Sequence, residues 1–361
     1  MRFLRLRFCL AGVLAVSMAA TPLIAGNSSA DRGQVRPPAS ARSPQPVYRV
    51  EAGLQGEIYP VFANYASLQN QNERTFGVVA VTVSNPTHNK LHQRIMVAVQ
   101  GWSDEEIQII DVQPGASHTF LFAPSFLPRF YRNREITAAT VKVSVSDALG
   151  PDLYETTVPV RLRSAEDMYW GNGFKYAPFI ASWVTPHDPA VEDVLAEAKR
   201  YTPDHRLPGY ENWKDQPEQQ QETLLETKAL FTALKQSGFS YVKSSLTLGS
   251  HMSVSERVRM PRASLRHTSG NCIDAVVAYA SLFENLGMEP AVILVPGHAY
   301  VGVRVAEGAK QFLFLDAALT GRSTFENAVA SAQTGLERNG PSAITQINIE
   351  DSRSAGIYPM P

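Results

Sequence analysis

Three side chains in the last third of this 361-residue chain have the types and the order that nucleophilic catalysis by a thiol requires. Cys272 lies in a Gly-Asn-Cys-Ile-Asp segment, His298 follows a Pro-Gly pair, and Asp316 follows a short apolar run. In this chemistry the thiolate attacks a carbonyl carbon, the histidine carries the proton, and the carboxylate holds the imidazole in the useful tautomer. Cys272, His298 and Asp316 are therefore the candidate catalytic residues.

Cys272 and His298 also have ordinary interpretations. A free cysteine is most often a small buried hydrophobe, and a lone histidine is most often structural. Zinc binding by His251, His267, Cys272, His298 and Asp316 is a weaker alternative, because the sequence has neither a Cys-x-x-Cys nor a His-Glu-x-x-His spacing. The joint order of the three candidates favours catalysis, and we expect neither a metal nor another cofactor.

Cys272 is predicted to lie in the first turn of a helix. Apolar residues recur at helical spacing over residues 273–286, and Gly287 ends the pattern. The first turn has unpaired backbone N–H groups and a positive dipole end, which favour the thiolate over the thiol. Asp274 opposes this effect and is interpreted as a stabiliser of the helix start, not as a catalytic acid. Three residues can supply the N-cap: Thr268, Ser269 and Asn271.

A β-hairpin is predicted to carry the other two candidates. Two apolar runs, residues 299–305 and 311–315, flank a turn at residues 307–309, with His298 before the first run and Asp316 after the second. A turn centred between residues 307 and 308 places His298 opposite residue 317, and a shift of one residue aligns it with Asp316. The hairpin alone therefore brings the imidazole near the carboxylate, whereas the contact with the thiol depends on packing that spacing does not predict.

These segments resemble the Cys, His and Asp blocks of the transglutaminase-like superfamily. The resemblance covers about residues 258–318 and includes the Gly-Asn-Cys-Ile-Asp segment, its helix, a Val-Pro-Gly-His-Ala-Tyr-Val-Gly segment and a Leu-Asp-Ala segment. It implies a papain-like α+β core in which Cys272 is the nucleophile, His298 the general base and acid, and Asp316 its orienter. Members of the superfamily catalyse transamidation or the hydrolysis of peptides and amides, and some have no catalytic activity.

One position departs from the superfamily pattern. Such relatives often have a glutamine before an Arg-x-Pro segment, whereas this chain has Glu256 before Arg-Val-Arg-Met-Pro. The departure leaves the side-chain donor to an oxyanion unassigned. The backbone N–H of Cys272 can contribute such a donor in either case.

The N-terminus predicts export to the periplasm or the medium. An apolar run at residues 8–20 follows three arginines and precedes small residues, which together are typical of a signal peptide spanning residues 1–30. Its cleavage removes Cys9 and leaves Cys272 without a disulfide partner. An uncleaved leader that tethers the protein is the alternative. No later stretch approaches the roughly 20 apolar residues that span a bilayer.

Composition along the chain predicts two domains after a disordered linker at residues 31–47. Residues 48–163 contain seven or eight short β-rich runs with turn signals about every ten residues, which is typical of an antiparallel sandwich. Residues 164–361 contain predicted helices, one capped by Asp188 and one at residues 217–236. With the resemblance, we expect an all-β immunoglobulin-like sandwich followed by an α+β transglutaminase-like (papain-like) domain, an arrangement similar to that of exported bacterial members.

The junction between the two predicted domains is rich in aromatic residues, which include Trp170 and Trp183. These rings are interpreted as packing between domains, with a substrate-binding wall as the alternative.

Charge and composition limit the partners that we expect. Removing the three arginines of the leader from a net charge of −1 leaves −4, without the basic excess of a nucleic-acid binder. The expected partner is a peptide or another amide-containing substrate, with proteins and cell-wall material as candidates. The sequence therefore favours a cysteine-nucleophile acyl-transfer enzyme, in which hydrolysis is preferred to cross-linking. The alternative is a catalytically inactive transglutaminase-like binding or scaffold protein.

Overall fold

The computed structural model of the chain describes residues 44–211, 215–243 and 255–361. The predicted signal peptide at residues 1–30 and the predicted linker up to residue 43 lie outside the described residues. The same is true of His251, one of the residues considered for zinc binding.

The described ranges contain seven α-helices and sixteen strands. The helices are α1 (Pro60–Ser67), α2 (Pro189–Ala198), α3 (Gln216–Gln236), α4 (Pro261–Arg266), α5 (Cys272–Asn285), α6 (Phe325–Asn339) and α7 (Ile349–Ser354). The strands are β1 (Val47–Ala52), β2 (Glu57–Ile58), β3 (Val79–Ser84), β4 (Leu91–Val99), β5 (Glu106–Val112), β6 (Ser117–Phe122), β7 (Thr137–Asp147), β8 (Asp152–Leu162), β9 (Asp167–Tyr169), β10 (Ser240–Tyr241), β11 (Ser255–Arg257), β12 (Ser269–Gly270), β13 (Pro290–Val295), β14 (His298–Arg304), β15 (Phe312–Leu315) and β16 (Thr345–Asn348).

Eight strands of the first half form two sheets. One sheet has the order β1-β3-β6, and the other has the order β2-β8-β7-β4-β5, in which the short β2 pairs parallel to β8. Buried residues alternate with partly exposed residues along β3 and β4, as expected where one face of a sheet covers a core. The strand expected at residues 106–112 is confirmed as β5.

The predicted fold class, an all-β immunoglobulin-like sandwich followed by a papain-like α+β domain, is wrong. The chain is mixed α/β, with 35% helix and 30% strand, and its strands are divided among several small sheets of two to five strands. Helix α1 interrupts the strands of the first half. Its eight residues make about two turns, which is too short for a helical period to be distinguished from an irregular apolar run.

Helix α1 joins the two large hydrophobic cores. Val61 and Phe62 belong to the core that includes α5, whereas Ala63 and Ala66 belong to the core of the first two sheets. Because Pro60 occupies the first helical position, where its missing N–H has no intrahelical acceptor, it suits the start of this helix. The predicted domain division near residue 163 stays a prediction.

The aromatic segment after β8 packs against α1. The Phe62 ring lies 4.9 Å from the Phe179 ring and 5.1 Å from the Tyr176 ring, measured between centroids. Trp170 and Trp183 are almost completely buried. These contacts favour the packing interpretation of the segment over a substrate-binding wall, because the rings are already covered by protein.

The second half is organised around the antiparallel sheet β15-β14-β13-β16. Every residue of β13 is buried, because the strand is covered on both faces. Val292 and Leu294 face the core that contains α5, and Ile293 faces a smaller cluster that contains Ala332 of α6. The sheet is thus held between α5 and α6, the two helices that flank the candidate site.

The helices expected around residues 188–236 are confirmed. Asp188 caps α2 by accepting a hydrogen bond from the Ala190 backbone N–H at 3.0 Å. Helix α3 begins at Gln216, one residue before the expected start, and ends at Gln236 as expected. Across the described ranges, no helix combines the length and the apolar character that crossing a bilayer requires.

Replacing Phe62 by alanine should lower the free energy of unfolding by about 3–5 kcal/mol, because the ring is 2% exposed and its removal leaves a cavity between α1 and the aromatic segment. Urea unfolding measures the change. Leu68→Ala, at the end of the same helix and 56% exposed, is the matched control and should change the free energy by less than about 0.5 kcal/mol. A loss below about 1 kcal/mol for Phe62→Ala would contradict the joining role of α1.

Candidate active site

The start of α5 is fixed by a reciprocal cap. The Asn271 side chain accepts a hydrogen bond from the Asp274 backbone N–H at 2.8 Å, and the Asp274 carboxylate accepts one from the Asn271 backbone N–H at 3.0 Å. Of the three candidate caps, Asn271 is therefore the cap. The carboxylate also accepts a hydrogen bond from the Arg259 backbone N–H at 2.8 Å. Asp274 thus has the stabilising contacts that the sequence analysis expected of it.

Cys272 is the first residue of α5, as the sequence predicted. Within the part of the chain that the structure describes it has no disulfide partner, and it is 1% exposed. Helix α5 packs directly against β14, the strand that begins with His298. The Cys272 side chain is close enough to the His298 ring to raise the pKa of the imidazole. The contact that spacing did not predict is thus made by helix-on-sheet packing.

The hairpin has a different register from the predicted one. Val301 pairs with Leu315, so the turn is centred on Gly308, which adopts a positive φ of 64°. In this register the residue opposite His298 would be residue 318, and Asp316 lies on the diagonal. Diagonal neighbours share a face of the sheet and are within reach of longer side chains. His298 Nε2 accordingly lies 3.0 Å from Asp316 Oδ1.

The carboxylate of Asp316 is held by groups on both sides. The Ser331 hydroxyl on α6 donates to Oδ2 at 2.9 Å, and the Ala318 backbone N–H lies 3.3 Å from Oδ1. The Asp316 backbone N–H donates to the Ala328 carbonyl oxygen at 3.1 Å, which ties the residue to α6. The sequence analysis missed Ser331, because a serine inside an exposed helical pattern carries no signal of its partner.

Tyr300 supports the imidazole from the same strand. It lies two residues after His298 and therefore on the same face of the sheet, with the two ring centroids 4.7 Å apart in an edge-to-face arrangement. Helix α6 approaches the tyrosine at Gly335, where an added Cβ would overlap with the Tyr300 hydroxyl. The absence of a side chain at Gly335 therefore sets how closely α6 and β14 pack.

His298 is placed where its charged form is favoured. Burial lowers its pKa, but the hydrogen bonds and negative charges of Asp316 and Cys272 outweigh this effect and raise the pKa to about 9. The imidazole is therefore mainly protonated at neutral pH. Because Nε2 is held by Asp316, Nδ1 is the ring nitrogen that remains for the Cys272 sulfur. The arrangement therefore places a protonated imidazole between a sulfur and a carboxylate.

Glu256 lies in a buried polar contact beside this cluster. Its Oε2 accepts a hydrogen bond from Trp170 Nε1 at 2.8 Å, while its Oε1 is buried with no hydrogen-bond partner among the described residues. Burial raises the pKa of Glu256 to about 7, an effect that the Trp170 hydrogen bond reduces and the charge of Asp274 increases. The hydrogen bond that Glu256 accepts comes from Trp170 and not from the Cys272 region, so the side-chain donor to an oxyanion stays unassigned.

The metal alternative gains no support from the described residues. Within residues 44–211, 215–243 and 255–361, no group of three or more His, Cys, Asp or Glu side chains is placed to hold a metal ion. His267 lines a separate cavity with Arg134 and Arg266, and the cavity lining does not include Cys272 or His298.

No protein-family model matches the chain, and no curated protein matches it. The resemblance of residues 258–318 to the transglutaminase-like superfamily therefore rests on the residues themselves.

Replacing Asp316 by asparagine should lower the pKa of His298 from about 9 to below about 7, because burial is then opposed only by Cys272. The imidazole signals in an NMR titration measure this pKa, with His298→Gln identifying the resonance. Asp111→Asn is the matched control, since it removes a carboxylate that lies 2.9 Å from the exposed His92 and not beside His298. It should leave the pKa of His298 unchanged. A His298 pKa that stays within about half a unit of the wild-type value in Asp316→Asn would refute the assigned pairing.

Replacing Gly335 by alanine should lower the free energy of unfolding by about 1–3 kcal/mol, although alanine is the better helix former, because the new Cβ overlaps with the Tyr300 hydroxyl. Chemical denaturation measures the effect. Tyr300→Phe in the same chain should recover part of the loss, and a double-mutant cycle isolates this coupling. Additive effects of the two substitutions would show that the overlap is not the cause.

Proposed function

We propose that this chain is an exported thiol-dependent acyl-transfer enzyme that acts on peptide or amide bonds. The observation that carries the proposal is the placement of His298, which is hydrogen-bonded to Asp316 and lies close enough to Cys272 for the sulfur to raise the pKa of the imidazole. Each member has the environment its role needs: a sulfur at a helix start, an imidazole with a raised pKa, and a buried carboxylate with further donors. The resemblance to the transglutaminase-like superfamily favours the same chemistry.

In the proposed reaction the Cys272 thiolate attacks the amide carbonyl carbon, and the carbonyl oxygen takes the negative charge. Backbone N–H groups in the first turn of α5 lack intrahelical acceptors and can stabilise that oxyanion. The His298 imidazolium donates its Nδ1 proton to the leaving nitrogen as the C–N bond breaks, which leaves a thioester and a neutral imidazole. His298 then takes a proton from water, the hydroxide attacks the thioester, and the thiolate leaves.

Asp316 acts on the imidazole and not on the substrate. Its carboxylate holds His298 through Nε2, so Nδ1 stays directed to the sulfur throughout both steps. Ser331 in turn holds the carboxylate through the second oxygen. The negative charge of Asp316 also stabilises the His298 imidazolium, which later donates its proton to the leaving nitrogen.

Hydrolysis is favoured over cross-linking because of the low exposure of the sulfur. Cys272 is 1% exposed, while the side chain of His298 is 27% exposed. A substrate would therefore approach from the imidazole side. A water molecule enters such a restricted space more easily than a lysine side chain, which makes water the preferred acceptor.

The same burial supports a second candidate function, a catalytically inactive binding or scaffold protein. A free cysteine behaves as a small hydrophobe when it is packed inside a core, and Cys272 belongs to the core that includes α5. In that case Cys272, His298 and Asp316 would only hold α5 against β14. The two candidates differ in the reactivity of the sulfur.

Alkylation by iodoacetamide over a range of pH distinguishes the two candidates. If Cys272 and His298 form an ion pair, the rate should remain high at pH values well below 8.5, the ordinary pKa of a thiol. Peptide-level mass spectrometry separates Cys272 from Cys9. His298→Gln is the matched variant and should return the profile to that of an ordinary thiol.

A slow rate that rises only above about pH 8, unchanged by His298→Gln, would overturn the enzyme proposal and leave the scaffold. Urea-unfolded protein is the control. Its Cys272 should be alkylated, which shows that the reagent reacts with this thiol once the thiol is accessible. An amide hydrolysed by the native protein but not by Cys272→Ala would support the nucleophile directly.

A further inference from the structure

A basic groove lies between the first half of the chain and α4. A cavity of about 860 Å³ is lined by residues from the segment 126–134 and by residues of α4. A second cavity of about 660 Å³ shares Arg134, Glu166, Ala263 and His267 with the first, so the two adjoin. We call the two cavities together the arginine groove. The volume of the larger cavity lies within the usual range for sites that bind small molecules.

Positive charge in the arginine groove exceeds negative charge. Six arginines line it: Arg132, Arg134, Arg257, Arg259, Arg262 and Arg266. Glu166 is engaged by Arg257 at 2.6 Å. Arg132, Arg134 and Arg266, by contrast, have no carboxylate within ion-pair distance in the described part of the chain. Unpaired guanidinium groups around one cavity are suited to an anion, since each presents a planar fork to carboxylate or phosphate oxygens.

Apart from Asn133, Glu166 and His267, the remaining lining of the larger cavity is apolar or aromatic. Phe126, Tyr131, Met260 and Ala263 line it, and the Phe126 ring is stacked on the neighbouring Phe130 at 4.2 Å. An inorganic anion would leave the exposed parts of Tyr131 and Ala263 in contact with water. A ligand with a hydrocarbon body would cover them and gain about 25 cal/mol for each Å² of apolar surface buried. The lining therefore matches an anionic head joined to an apolar body.

We propose that the arginine groove binds an amphipathic organic anion, with a carboxylate or phosphate head on Arg132, Arg134 and Arg266 and a hydrocarbon body against the apolar lining. This site is distinct from the Cys272 cluster, because neither Cys272 nor His298 lines either cavity. Its closest approach in sequence is through Asp274, which lines the smaller cavity and caps α5. Binding at the groove is therefore a property that can be measured without any thiol activity.

Calorimetric titration of the whole protein at neutral pH and about 50 mM salt tests the proposal with four probes: hexyl phosphate, hexanoate, inorganic phosphate and hexanol. Hexyl phosphate or hexanoate should bind saturably and at least about tenfold more tightly than inorganic phosphate and hexanol. The ranking of the two anions identifies the preferred head group, and either order supports the proposal. No saturable binding of either, or equal binding of inorganic phosphate, would overturn it.

Two variants assign the binding to the groove. Arg134→Gln combined with Arg266→Gln should weaken the tighter probe by at least about tenfold, because two unpaired charges are removed. Ala263→Leu narrows the groove at a position that lines both cavities, without changing the charge, and should weaken the binding of hexyl phosphate more than that of inorganic phosphate. Arg200→Gln, on an exposed arginine paired with Glu197 outside the groove, is the control and should leave binding unchanged. Unchanged binding in both groove variants, each with wild-type circular dichroism, would refute the site.

Discussion

The candidate site depends on one contact, between the first turn of α5 and the first residue of β14. This packing brings the Cys272 sulfur to the His298 ring, while the hairpin brings Asp316 to the opposite ring nitrogen. Burial by itself would favour a neutral imidazole, and only its two partners make the charged form stable. The charge of His298 therefore depends on both of its partners.

Helix α6 is the second support of this arrangement. It supplies the Ser331 hydroxyl and the Ala328 carbonyl that hold Asp316, and its Gly335 allows close packing against Tyr300. Without α6, the carboxylate would follow a short strand with only one backbone donor to direct it. Strand β13, which pairs with β14 in the sheet between α5 and α6, is buried along its whole length, which limits the movement of His298 relative to either helix.

The elements whose signals are local were predicted well, whereas the fold class was not. Asp188 caps α2 and α5 begins at Cys272, as expected from capping residues and helical periodicity. Helix α1 was missed because its eight residues show no clear period, and it is stabilised by burial between two cores. The prediction of an all-β first half is therefore wrong because of α1, whose apolar residues are part of both cores.

The sequence by itself determined the order of Cys272, His298 and Asp316 and the elements that carry them. Capping, turns and periodicity involve residues within about four positions of one another, so the chain records them directly. Tertiary structure decided the hairpin register centred on Gly308, the choice of Ser331 and the meeting of sulfur with imidazole. The partners of Asp316 are 18 and 15 positions away in the chain, and contacts over such separations depend on how whole elements pack.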